Sequence, residues 1–419
     1  MAVLFAVMLV AAAGNTAMQS VLPAIGTRLG LADVWVSLAF SWSALLWVIT
    51  APRWAAASDR RGRKALMQLG LIGFSISMAA CGLILWAGLS GWLGAGLCFA
   101  LFAAFRSLYG GFGSAAPPAV QAYVAARTDP AQRTGALSVL ASSFGLGTVI
   151  GPGIAPFLIL PLFGLSGPML AFALIGVLVM VALRLVLPDD APAHPARGGV
   201  SGEPLSGGGN SGSAALGADD PEPLAWSDRR IRPWLVAGVV GGHANAMLLG
   251  VIGFVVLDRL NLRATPELAT DPTGLVLMAG AGATLLAQWG LIPGLKLTPR
   301  VSVLTGAALA TVGVSLVGTA SGLHGLVIGF AVSALGFGLF RPGFTAGTSL
   351  AVGAEGQGSV AGKVTSVNGL AYIAAPALAV LIHDWNAGAV FWLIGGLTAG
   401  LAVWSVRGLG EVEEPAPQP

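Results

Sequence analysis

The chain has 419 residues, of which 55% are hydrophobic and only 9% are Asp, Glu, Lys or Arg, against about a quarter charged in soluble domains. A soluble protein could not keep that much apolar surface from aggregating, so a water-borne enzyme or binding domain is excluded. The net charge of +3 belongs to loops at a membrane surface and makes no case for nucleic acid.

Several uncharged runs exceed the roughly 20 residues that a helix needs to cross hydrocarbon. The first span covers residues 2–25, with a break expected at Pro23 and with Asn15, Thr16 and Gln19 as its polar residues. It has no basic leader and no evident cleavage site, so it reads as a retained helix and not a signal peptide. Span two covers 34–52. The stretch Asp59-Arg60-Arg61-Gly62-Arg63-Lys64 then packs five charges into six residues, which reads as a short cytoplasmic loop in water. Spans three (65–87), four (91–116, extended by 119–126), five (134–159) and six (167–187) complete a first half. Cys81 and Cys98 fall in apolar runs with no disulfide or metal spacing.

Residues 188–232 are rich in Gly, Ser and Pro and read as a flexible cytoplasmic linker. Spans seven to twelve follow at 234–257, 273–292, 301–320, 325–352, 364–382 and 388–406. The expected organisation is a six-helix bundle (1–187), the linker, a second six-helix bundle (233–407), and an acidic, Pro-rich tail (408–419). Sixteen of the 21 basic residues fall on one side of this topology. Arg28, Arg259 and Arg263 fall on the other, and Arg106 and Arg341 lie inside spans. The bias orients that side, with both termini, toward the cytoplasm. Residues 99–156 and 330–377 echo each other, as two parallel six-helix repeats would.

The order Asp59-Arg60-x-Gly62-Arg63-Lys64 resembles the signature loop between helices two and three of the major facilitator superfamily, with Ala55 where the family has Gly. The resemblance implies twelve helices in two pseudo-symmetric bundles that rock about a central cargo site. It also implies a gate at Asp59, Arg60, Gly62, Arg63 and Lys64, which a charge-assisted pair could close in one state and break in the other. Gly147 and Gly151 form a Gly-x-x-x-Gly face for close helix approach, and Pro152 bends the helix. Gly151-Pro152 also resembles the antiporter motif of drug/proton exporters, although Ala155-Pro156 stands where the family has two glycines. Arg106 with Gly110 resembles the span-four motif whose Arg is implicated in proton coupling.

No Asp or Glu lies in the middle of a span. A proton-coupled mechanism would therefore use Asp33, Asp258 or His243 beside Arg106, although Asp33 reads first as a helix cap and His243 could equally be a hydrogen-bonded polar residue in a cavity. The expected cargo-site residues are Asn15, Gln19, Trp42, Trp47, Arg106, Tyr109, Asn245, Gln288, Arg341, Asn368 and Tyr372. Trp42 and Trp47 are expected deeper than the interfacial tryptophans. If Arg106 and Arg341 both face the cavity, their field favours anionic or zwitterionic cargo. The functional expectation is an inner-membrane, monomeric secondary transporter that exports small amphipathic molecules in exchange for protons. The alternatives are a dedicated exporter of an anion such as a siderophore or organic acid, and an uncoupled facilitator or importer. No phosphate-binding loop, metal cluster or cofactor motif is present in the sequence.

Overall fold

The computed structural model describes residues 1–128, 130–188, 224–352 and 357–410. Among them it contains no strand, only one isolated bridge between Leu160 and Gly164. The first half holds α1 (Ala2–Arg28), α2 (Asp33–Arg61), α3 (Arg63–Leu89), α4 (Ala95–Gly111), α5 (Ala116–Arg127), α6 (Pro130–Ile154) and α7 (Gly167–Val186). The second holds α8 (Arg232–Arg259), α9 (Thr270–Leu285), α10 (Ile292–Leu295), α11 (Pro299–Thr319), α12 (Leu323–Leu350), α13 (Gln357–Trp385) and α14 (Ala389–Gly408). Eleven segments are long and apolar enough to cross a membrane, α4 joining α5 and α9 joining α10 as single spans; α6 adds a shorter apolar run, Val139–Ile154. Among the described residues these make twelve crossings, six per half, so that α1 begins and α14 ends on the same side. Asp33 marks the opposite end.

The outside of the molecule is apolar, the reverse of a soluble protein. Leu174, Leu178, Val181 and Leu185 form an exposed stripe along α7 at helical spacing. Such a surface is stable only against lipid, where each helix satisfies its own backbone. In the interior, α1 is buried over most of its length and packs on α6 and α7, while α8 packs on α12, α13 and α14. The close approach of α1 and α6 explains Gly147 and Gly151. Any side chain at Gly151 would collide with Ala13 O and Thr16 Oγ1, and one at Gly147 with Leu9 O. This Gly-x-x-x-Gly face thus holds one half together. The two halves meet along α2–α13 and α6–α9.

Several expected boundaries move. α1 runs unbroken through Pro23; one missing N–H near a helix end removes a single bond, which surrounding packing tolerates. The charged stretch is not a loop. α2 continues to Arg61 and α3 starts at Arg63, leaving Gly62 alone as the turn at φ 84°, a conformation that favours glycine. Ala and Arg are strong helix formers, so the helix extends past the apolar run. Span four is interrupted by a 3-10 turn at Gly113–Ala115, and span eight by a π turn at Leu286–Leu291. The expected linker falls largely outside the described residues, as does the tail beyond residue 410. At the linker's far end the Leu224 N–H donates to Ser359 Oγ (3.1 Å) and the Lys363 ammonium lies 5.2 Å from the Trp226 ring centre.

Candidate functional site

Arg106 is sealed inside the first half at 1% exposure. It projects from α4 toward α1 and α2, donates from Nη2 to Asn15 Oδ1, and lies 4.4 Å from the Tyr109 ring centre and 5.6 Å from that of Phe40. Trp47 packs against Tyr109 at a 45° tilt with ring centres 5.4 Å apart. Cation–π contacts of this kind stabilise a desolvated guanidinium by about 2 kcal/mol, well short of the cost of burying an unpaired charge. Arg106 Nε and Nη1, the Tyr109 hydroxyl and the Trp47 indole N–H find no partner among the described residues.

Phe40 also lines a cavity of about 30 Å³ between the halves, with Gln19, Pro23 and Ser37 from the first half and Leu249, Leu277 and Pro376 from the second. That volume holds about one water, so the two halves are closed against each other here.

A second cluster closes the seam at the Asp33 end. Arg263, in the turn after α8, makes 2.9 and 2.6 Å contacts to the two carboxylate oxygens of Asp33 on α2. The same guanidinium reaches Asp258 Oδ1 (2.6 Å) and Oδ2 (3.1 Å). His383 Nε2 meets Asp258 Oδ2 at 2.8 Å, Thr27 on α1 accepts from Arg263 at 3.4 Å, and Asp384 lies within electrostatic reach. Burial works against the Arg263 charge, but its hydrogen bonds to Asp258 and Asp33 more than compensate and hold it above the usual arginine range. Asp33 and His383 are buried, at 6% and 4% exposure. An exposed pair, Arg28 with Glu267 at 3.2 Å, crosses the same seam and adds little. Elsewhere along the seam, Gly274 of α9 lies against the Pro152 carbonyl and Val48 of α2 against Gly369 of α13.

The structure thus joins some expected residues and separates others. Asp33 and Asp258 share one cluster; Asp33 is not a cap, since Ala32 holds that position and the carboxylate is taken by Arg263. His243 stands apart and pairs its Nδ1 with Val239 O of its own helix at 2.8 Å. Asn245 Nδ2 donates to Tyr372 Oη at 3.1 Å. Trp47 is buried, but Trp42 is 47% exposed on an outward stripe with Trp35, Leu38 and Ile49, and its indole donates to Ser107 at 2.7 Å. The α2 phase that buries Trp47 turns Trp42 outward. Arg341, Gln288 and Asn368 are half-buried, with Gln288 in the π turn. Arg106 and Arg341 do not share an open cavity, because Arg106 is enclosed by Asn15, Phe40 and Tyr109. Near Gly62, Lys64 donates to Leu187 O and Arg63 is buried, while the Asp59 and Arg60 side chains lie outside the described residues. A recess of about 550 Å³ adjoins this end of α2, lined by Thr50, Arg53, Trp54, Ala57 and Arg61.

Sequence reading passed over Arg263, His383 and Phe40. Arg263 carried a signal, being one of three basic residues on the side poor in them and five residues after Asp258. His383 and Phe40 carried none, since their partners are remote in the chain.

The comparisons follow this architecture. The family model described as Major Facilitator Superfamily matches residues 4–376. A Bacillus subtilis (strain 168) protein named multidrug resistance protein 2 is 26% identical over 360 residues, covering 83% of this chain and 79% of its own length. Among solved structures, the human organic anion transporter MFSD10 (TETRAN) aligns at TM-score 0.63 and 20% identity, covering 96% of this chain and 98% of its own. A bacterial homologue of the human lysosomal transporter Spinster, in an inward-facing and occupied conformation, aligns at TM-score 0.69 and 14% identity, over 97% and 93% of the two chains. With a family model spanning most of its length, the chain belongs to the major facilitator superfamily.

Proposed function

We propose that the protein exports small amphipathic molecules in exchange for protons, by alternating access across a cell membrane with both termini cytoplasmic. The observation that carries this reading is the Asp33–Arg263–Asp258–His383 cluster. It is a latch between the two halves at one end of the seam, built from ionisable groups. With Asp33 ionised the latch closes the outer end. Protonating Asp33 from outside removes one arm of the Arg263 clamp and favours the outward-open state, so proton binding and cargo release draw on the same equilibrium. The export direction rests on the resemblance of Gly151-Pro152 to the antiporter motif and on the likeness to a multidrug resistance protein. The unsatisfied donors around the buried Arg106 favour a second reading, export of one endogenous anion.

The test uses purified protein in liposomes loaded with a pH-sensitive dye. Cationic drugs and carboxylates are added in turn under an imposed proton gradient. Cargo-evoked proton flux that falls in Asp33→Asn supports antiport. Cargo movement with no proton flux overturns it and leaves a facilitator.

A further inference from the structure

Arg106 is a permanent cation, and no counter-ion faces it among the described residues. Arginine keeps its charge at any accessible pH, so it cannot itself take up or release the transported proton. Asn15 supplies a neutral amide oxygen to the guanidinium, where an acid in its place would have neutralised it. The groups left over can all donate: Arg106 Nε and Nη1, the Trp47 indole N–H and the Tyr109 hydroxyl, all buried and without a partner among the described residues. Donors gathered around a fixed positive charge are complementary to an acceptor-only group, and a carboxylate is the common organic group of that kind. The walls are aromatic, with Tyr109 flanked by Trp47 and by Phe74 at 5.9 Å, which suits an amphiphile carrying a flat apolar body. Phe40 links the two regions: its ring centre lies 5.6 Å from the Arg106 guanidinium, and it also lines the cavity between the halves.

We infer that Arg106, Asn15, Trp47 and Tyr109 form a carboxylate-binding subsite that opens to the inter-half cavity when Phe40 swings aside, and that the cargo is an amphipathic carboxylate. This inference rests on the transporter reading and deepens it by assigning the charge class of the cargo.

The test is equilibrium binding to the purified full-length chain in detergent, read by calorimetry, so it needs neither a proton gradient nor transport. Three probes share one ring system and differ in charge: indole-3-acetate, its neutral alcohol and the cationic amine tryptamine. The carboxylate is expected to bind at least about tenfold more tightly than either other probe. Arg106→Gln should erase that preference, and Arg106→Lys should keep part of it. Trp47→Phe, which removes only one donor and disturbs packing little, should weaken carboxylate binding several-fold without touching the alcohol, which provides a second reading if Arg106→Gln misfolds. Equal affinity for the three probes, tighter amine binding, or an unchanged carboxylate preference in Trp47→Phe and Arg106→Gln would overturn the inference. Carboxylate binding without proton flux would leave this subsite standing and sink proton coupling. Proton flux evoked by cations alone, with no carboxylate binding, would do the reverse.

Discussion

Replacing Asp33 by Asn keeps the shape of the latch and removes its charge. In the closed state both Asp33 oxygens face Arg263, at 2.9 and 2.6 Å, and the amide can satisfy only one of those contacts while turning its NH₂ toward the guanidinium. Hydrogen bonds to charged groups contribute about 1.5–3 kcal/mol. Arg263 keeps Asp258 and is itself about a third exposed (36%), so screening confines the loss to about the lower half of that range. A loss of about 1.5–2 kcal/mol shifts the closed-to-open ratio at this end about 10- to 30-fold toward open. Spin labels at Ala32→Cys and Leu268→Cys, both exposed beside the seam, report that ratio as a distance distribution. Cys81 and Cys98 are buried and do not compete for label. A distribution in Asp33→Asn matching the parent would refute the claim that the latch holds the outer end closed.

Other outcomes follow from the same contacts. His383→Gln retains a hydrogen bond to Asp258 but leaves Arg263 and Asp33 untouched, so the same labels should move less than in Asp33→Asn. Arg263 sits above the usual arginine range, so its contribution is fully present below the unfolded-state value and is lost only as pH rises beyond it; the distance distribution should stay constant from pH 7 to 10. Gly151→Leu drives a side chain into Ala13 O and Thr16 and should destabilise the α1–α6 contact by about 1–3 kcal/mol, seen as a fall in melting temperature. Asn15→Asp places a counter-charge on Arg106 and should raise the melting temperature by about 2–4 °C while abolishing carboxylate binding by filling the subsite.

Much of the architecture was legible because lipid imposes a simple rule: apolar runs cross and basic residues stay at one surface. Gly147 and Gly151 could be recognised as a packing face because small residues four apart have few other uses in a span. Helix ends near the surface were harder to read. The stretch to Arg61 is charged and still helical, since arginine in water favours a helix as much as a loop. The latch was half legible: Asp33 and Asp258 stood out as carboxylates at span ends, but Arg263 lies 230 residues from Asp33, and only the fold brings them together. The isolation of Arg106 could not be read either, because Asn15 is 91 residues away and the closing ring of Phe40 looks like any other core aromatic. Trp42 and Trp47 differ by five residues, and their opposite fates follow from the phase of α2, which aromatic content alone does not reveal.

The central claim is that release of the Asp33–Arg263 latch couples protons to outward movement of cargo. The most direct test is uphill accumulation of a labelled cargo in vesicles with the Asp33 end facing the lumen, after the lumen is made acidic. Coupled exchange predicts accumulation against the cargo gradient, collapse on adding a protonophore, and loss of the uphill component in Asp33→Asn. Equilibration to the same level with or without the pH gradient would contradict the claim.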